Sequence, residues 1–210
     1  MSSRSIPPPN LKSKEELYFW WYLLELKDKG FISDIRYEPQ SFDLCESVRF
    51  PWIKKMKTKD KVCDFELLKG MRYTPDFTFV WELKATGIFT ANKYQNPRNM
   101  PFKMLGKTCW VDVKGTFSRN ESYRIFPMYQ KMMWKIHGIF VEKIVMPTLY
   151  VKTFTPERFL LTDKTMKPRT INFETQTLND YVNNRLQELF SVNTGLQRET
   201  NHKQLATEPV

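Results

Sequence analysis

The chain is poor in residues that staple or cage a small fold. It has three cysteines, Cys45, Cys63 and Cys109, an odd number with no close pair. That excludes a disulfide framework and leaves three reduced thiols as the expectation. With no C-x2-4-C spacing, and with His137 and His202 standing apart, a structural zinc site is excluded as well. Long apolar runs are missing. The longest, residues 17–24, falls far short of the ~20 residues of a membrane span, so no membrane segment is expected. The Ser- and Pro-rich start shows no apolar leader, so no secretory signal is expected and a cytoplasmic setting fits. Acidic residues are in deficit, 23 against 33 Lys and Arg, which gives a formal charge of +10.

That surplus favours a polyanionic partner, nucleic acid first and an anionic membrane surface second. The 210 residues are 41% hydrophobic and 15% aromatic, enough to bury a sizeable core, so wholesale disorder is excluded. Residues 1–12, with Pro7-Pro8-Pro9, read as an extended arm. Residues 13–192 read as one domain without internal repeats, and residues 193–210 as a disordered polar tail.

Ser13-Lys14-Glu15-Glu16 fits a capping box that opens a helix, with Gly30 as its stop. Leu17, Trp20, Trp21 and Leu24 recur on its buried stripe. A strand is expected within 34–42. The lysine-dense stretch 54–61 is too charged for a buried element and reads as a loop or flap. Residues 63–68 and 72–83 read as a hairpin turning at Lys69-Gly70, with Phe77, Phe79 and Trp81 on one face of its second arm. Residues 85–106 form a long polar connection. A short apolar strand follows at 109–113, with Asp112 set inside it. Pro127 suits the start of a helix and Gly138 its end, with Met128, Met132, Met133 and Ile136 buried. Residues 140–154 look like one or two strands. Thr177 caps a last helix over 178–190. The order predicts a mixed α/β domain.

One constellation carries chemistry. Tyr73-Thr74-Pro75-Asp76-Phe77 opens one strand, and Trp110-Val111-Asp112-Val113-Lys114-Gly115 closes another. On a strand, Asp112 and Lys114 share a face, roughly 7 Å apart. If the strand of Asp76 lies alongside, two carboxylates and an ammonium converge. Two acidic oxygens can hold a hard cation such as Mg²⁺ that keeps its waters and accepts a phosphate oxygen. Such an ion polarises a phosphodiester and acidifies a bound water, and an ammonium can orient that water or stabilise developing charge.

These motifs resemble the PD-(D/E)XK (restriction-endonuclease-like) superfamily, and especially its small phage-type endonucleases and Holliday-junction-resolvase-like members. The similar stretch covers residues 13–152. The resemblance implies an αβββαβ core with a mixed central sheet, here with an extra C-terminal helix. It implies cleavage of DNA with Mg²⁺, for which Mn²⁺ can substitute, by a phage-encoded enzyme, with branched DNA as a substrate. Asp76 and Asp112 would be metal ligands, the backbone carbonyl of Val113 a further one, Lys114 the catalytic lysine and Glu16 an assisting acid. Capping alone also explains Glu16. Relatives with this activity are often dimers, so a homodimer is a further expectation. The 36-residue separation of the two acids exceeds the usual family spacing, so 85–106 looks like an insertion. Glu82-Leu83-Lys84 offers a competing register, but Glu82 would stand about 20 Å from Asp76 along one strand. Candidate phosphate contacts are Lys54, Lys55, Lys57, Lys93, Arg98, Lys131 and Lys135. A non-catalytic DNA-binding virion or packaging protein with the same fold stays open.

Overall fold

The computed structural model describes residues 9–103, 106–115 and 121–205, with side chains described from 124 in the last stretch and as far as 191. Along the chain run α1 (Lys14–Asp28), β1 (Ile32–Tyr37), β2 (Phe42–Cys45), β3 (Val48–Lys55), β4 (Asp60–Leu68), β5 (Met71–Tyr73), β6 (Phe77–Trp81), β7 (Thr108–Gly115), α2 (Glu121–His137), β8 (Val141–Met146), α3 (Thr148–Lys152) and α4 (Leu178–Leu205). Among the described residues no helix is long and apolar enough to cross a membrane.

Helix α1 starts as its sequence directs. Ser13 Oγ accepts the Glu16 N–H at 3.1 Å. The reciprocal half of the box slips by one residue, because Glu16 Oε2 accepts the N–H of Lys12. At the far end Gly30 sits at φ +64°, a conformation most side chains resist, and Phe31 N–H returns to the Leu26 carbonyl at 2.8 Å.

The central sheet has the order β1-β6-β7-β8. The first two pairings are antiparallel and the third is parallel. A parallel pair needs a crossover, which α2 supplies. With the side ribbons set aside, the chain runs helix, three strands, helix, strand. This is an α/β fold with a mixed sheet. Phe77, Phe79, Val111 and Val113 share the larger core with Phe19, Tyr22, Leu23 and Leu26 of α1. On the opposite face Trp110 and Val141 meet Phe126 and Met133 of α2, together with Phe42 and Tyr73 of the β2–β5 ribbon.

Several expectations are corrected. Residues 54–61 are a loop only in part: 54–55 and 60–61 are the paired ends of β3 and β4, and 56–59 turn between them. Their charge is tolerated because every residue of β3 is exposed. Strand β4 therefore does not pair with 72–83. Strand β5 pairs with β2 instead, and Pro75 separates it from β6. Gly70 joins the ribbons where a Cβ would press the Cys45 carbonyl at 3.1 Å. The polar connection also contributes to the core, through Phe89 and Phe102. Helix α2 starts at Glu121, so Pro127 lies inside it. Met133 is buried as expected, but Met128 and Ile136 are exposed. Residues 148–152 are helical, not stranded. Thr177 does cap α4, with Oγ1 accepting the Asp180 N–H at 3.2 Å. Helix α4 continues to Leu205, across the stretch expected as a tail. Residues 1–8 of the expected arm and 206–210 of the tail lie outside the described residues.

Candidate active site

Strand pairing decides where the acids meet. Between β6 and β7 the register pairs Phe77 with Val111 and Thr78 with Trp110. One more step of the same register sets Asp76 opposite Asp112, at the distance of directly facing antiparallel residues. There the Asp76 side chain substitutes for a strand partner: its Oδ2 accepts the Val113 N–H at 2.7 Å. The N–H and C=O of one strand residue point to the same edge, so the Val113 carbonyl faces the Asp76 side too.

Asp112 is buried, 3% exposed. Its Oδ1 accepts the Tyr73 hydroxyl at 3.0 Å. Lys114 Nζ stands 2.5 Å from its Oδ2. That oxygen is shut off from solvent and receives no hydrogen bond of acceptable angle, so the ion pair answers its charge but not its direction. Helix α2 closes this face. Tyr129 stacks on Tyr73 at 5.1 Å, and the Phe126 ring lies 5.9 Å from Lys114 Nζ. On the other side the start of α1 comes close to the end of β7. A Cβ at Gly115 would meet Glu15 Oε1 at 3.1 Å.

Burial sets the electrostatics. The Asp76 carboxyl is pushed up to about 7, first by desolvation and then by the Asp112 charge, against the pull of the Val113 N–H and Lys114. Asp112 is also raised by burial, with Lys114 and the Tyr73 hydroxyl opposing. Burial and the Asp112 charge hold the Tyr73 phenol far above its ordinary range, so it is a fixed donor. Glu16 is buried and adds negative charge that raises both aspartates. Its Oε2 already accepts Lys12 N–H and the Tyr37 hydroxyl, each at 2.8 Å. Local structure accounts for those bonds.

The fold thus brings together Asp76, Asp112, Lys114 and the Val113 backbone, with Glu16 nearby. Among the described residues, no three or more Asp, Glu, His or Cys side chains converge as a metal-binding group. What converges is a pair of aspartates and a backbone carbonyl edge, with one aspartate oxygen lacking a hydrogen bond. This set fits a hard cation that keeps several waters, not a closed protein cage.

The competing acid–lysine pair lies at the opposite end of β6. Glu82 is half-buried and accepts the Ser33 hydroxyl at 2.5 Å, and Lys84 donates to the Lys29 carbonyl. The candidate phosphate contacts are scattered but exposed. Lys54 and Lys55 lie on β3, Lys57 in its turn, and Lys131 and Lys135 on α2. Lys93 packs over the Tyr94 ring at 4.8 Å. Arg98 lines an open groove of about 690 Å³ with Lys103, Lys143, Lys152 and Arg185. Sequence reasoning missed Tyr73 as a ligand of Asp112 and Tyr37 as a ligand of Glu16. Tyr73 stood within the quoted motif, three residues before Asp76, and only the β2–β5 pairing reveals its aim.

No family model, curated protein or solved structure matches the chain.

Proposed function

We propose that the protein is a metal-dependent endonuclease that hydrolyses phosphodiester bonds in DNA, built on a PD-(D/E)XK-like core. The observation that supports this best is the β6–β7 register, which faces Asp76 with Asp112 and puts Lys114 on the Asp112 side chain. Asp76, Asp112 and the Val113 carbonyl would hold Mg²⁺ or Mn²⁺. When bound, the ion would acidify a water and polarise the scissile phosphate. Lys114 Nζ, which pairs with Asp112, would supply the positive charge that orients the attacking water. Tyr73 holds one oxygen of the Asp112 carboxylate, and Tyr129 and Phe126 of α2 pack beside Tyr73 and Lys114. The formal charge of +10 supports a polyanionic substrate.

A non-catalytic DNA-binding role is the second reading. It is favoured by the Lys114–Asp112 ion pair, which offsets the Asp112 charge without a metal. The test is incubation of purified protein with duplex, single-stranded, branched and flap DNA, with Mg²⁺ and with Mn²⁺. The enzyme reading expects cleavage that Asp112→Ala or Lys114→Ala abolishes while DNA binding persists. Absence of cleavage on all substrates with both metals would leave the binding role.

A further inference from the structure

The β3–β4 ribbon supplies no residue to either core, and a lone two-stranded hairpin is marginal in water. Its two faces differ sharply. Cross-strand partners share a face, and successive pairs alternate sides. One face carries the pairs Arg49–Glu66, Pro51–Asp64, Ile53–Val62 and Lys55–Asp60. All three acids of the ribbon are there, and Arg49 bridges Asp64 at 3.1 Å. The other face carries Phe50–Phe65, Trp52–Cys63 and Lys54–Lys61. It has no acid. Phe50 is 64% exposed, Trp52 47% and Phe65 54%. Lys54 and Lys61 stand directly opposite each other, a like-charge pairing that costs the hairpin stability. Lys57 and Lys59 in the connecting turn add to the cationic end.

An aromatic ladder leading into uncompensated lysines suits a ligand with flat apolar faces and regularly spaced negative charges. We propose that this face binds an unpaired nucleic-acid strand. Its bases stack on Phe50, Trp52 and Phe65, and its phosphates relieve the Lys54–Lys61 repulsion. The inference rests on the endonuclease reading and deepens it by naming the part of a DNA substrate that the arm holds. The arm is rooted at the site, since β4 leads within three residues into β5, whose Tyr73 binds Asp112. At strand rise, eight residues reach about 26 Å outward from that root.

The test is fluorescence anisotropy of the full chain in EDTA, with a labelled oligothymidine and with a duplex, at several salt concentrations. Trp52→Ala is expected to weaken single-strand binding about tenfold, and to change duplex binding by less than about twofold. Trp52→Phe restores the aromatic face and most of the affinity, which a mere folding defect in the alanine variant would not explain. Replacing Lys54 and Lys61 with Gln lowers the single-strand salt slope by about 1.4. Unchanged single-strand affinity in Trp52→Ala overturns the proposal, as does equal loss on duplex, which would mean groove binding. Sedimentation as a dimer that Trp52→Ala dissociates also overturns it, in favour of a second copy of the chain. These outcomes are separable from the endonuclease test. Lost cleavage with an intact arm effect sinks only the enzyme, and intact cleavage without an arm effect sinks only this proposal.

Discussion

The notch between β6 and β7 and the β3–β4 arm carry charge in opposite ways. In the notch Asp112 is buried and Asp76 half-buried, each with a backbone or hydroxyl donor, and one lysine lies against Asp112. In the arm cations stand in solvent, two of them face to face. Buried charge shows its purpose through perturbed protonation and through an oxygen that lacks a directed bond. Exposed charge shows it through lack of compensation on one face while the reverse face is neutralised. The first arrangement suits chemistry at a fixed point, and the second suits adhesion along a strand.

The largest contrast should appear in activity. Lys114→Ala should lower metal-dependent cleavage at least about a hundredfold, as loss of a charge-stabilising group does, while Trp52→Ala leaves cleavage of a saturating substrate far less affected. Rates under single-turnover conditions check this. Stability should separate the regions next. Phe77 is fully buried among Phe19, Trp20 and Tyr37, so Phe77→Ala should cost about 3–5 kcal/mol by denaturant unfolding. Trp52→Ala in the arm should cost under about 0.5 kcal/mol.

The notch should also impose a pH dependence that the arm lacks. Asp76 sits near 7 in the folded chain, against 3.8 for the ordinary carboxyl. The folded state therefore holds more protons between those values, and metal-free stability should fall as pH rises through that window. Asp76→Asn should flatten the curve and raise metal-free stability at pH 8, read by thermal melts across pH. Tyr73→Phe is the gentlest probe. It removes a hydrogen bond to a buried carboxylate and should cost about 1–3 kcal/mol, without abolishing metal binding.

Much of this was legible before any coordinates. The Ser13 cap, the Gly30 stop and the alternation of Phe77, Phe79 and Trp81 depend on local chemistry, and the fold keeps them. Asp76, Asp112 and Lys114 were legible as a motif, and their meeting follows from strand pairing alone. The arm was not legible, because an exposed ribbon lacks the half-buried alternation that marks a strand. Five lysines in 54–61 masked it as a loop. The start of α2 was misread because Pro127 suits a first turn, and the helix tolerates it further in. Tyr73 escaped notice because its role depends on a pairing with β2 across a long excursion of chain.

Diffraction from crystals soaked in Mn²⁺, with anomalous difference maps, bears most directly on the notch. One peak should lie between the carboxylates of Asp76 and Asp112, within about 2.5 Å of an oxygen of each and beside the Val113 carbonyl, and it should vanish in Asp112→Asn crystals. Ordered aspartates with no peak between them at saturating Mn²⁺, or side chains on opposite faces of the sheet, would contradict metal-dependent chemistry at this site.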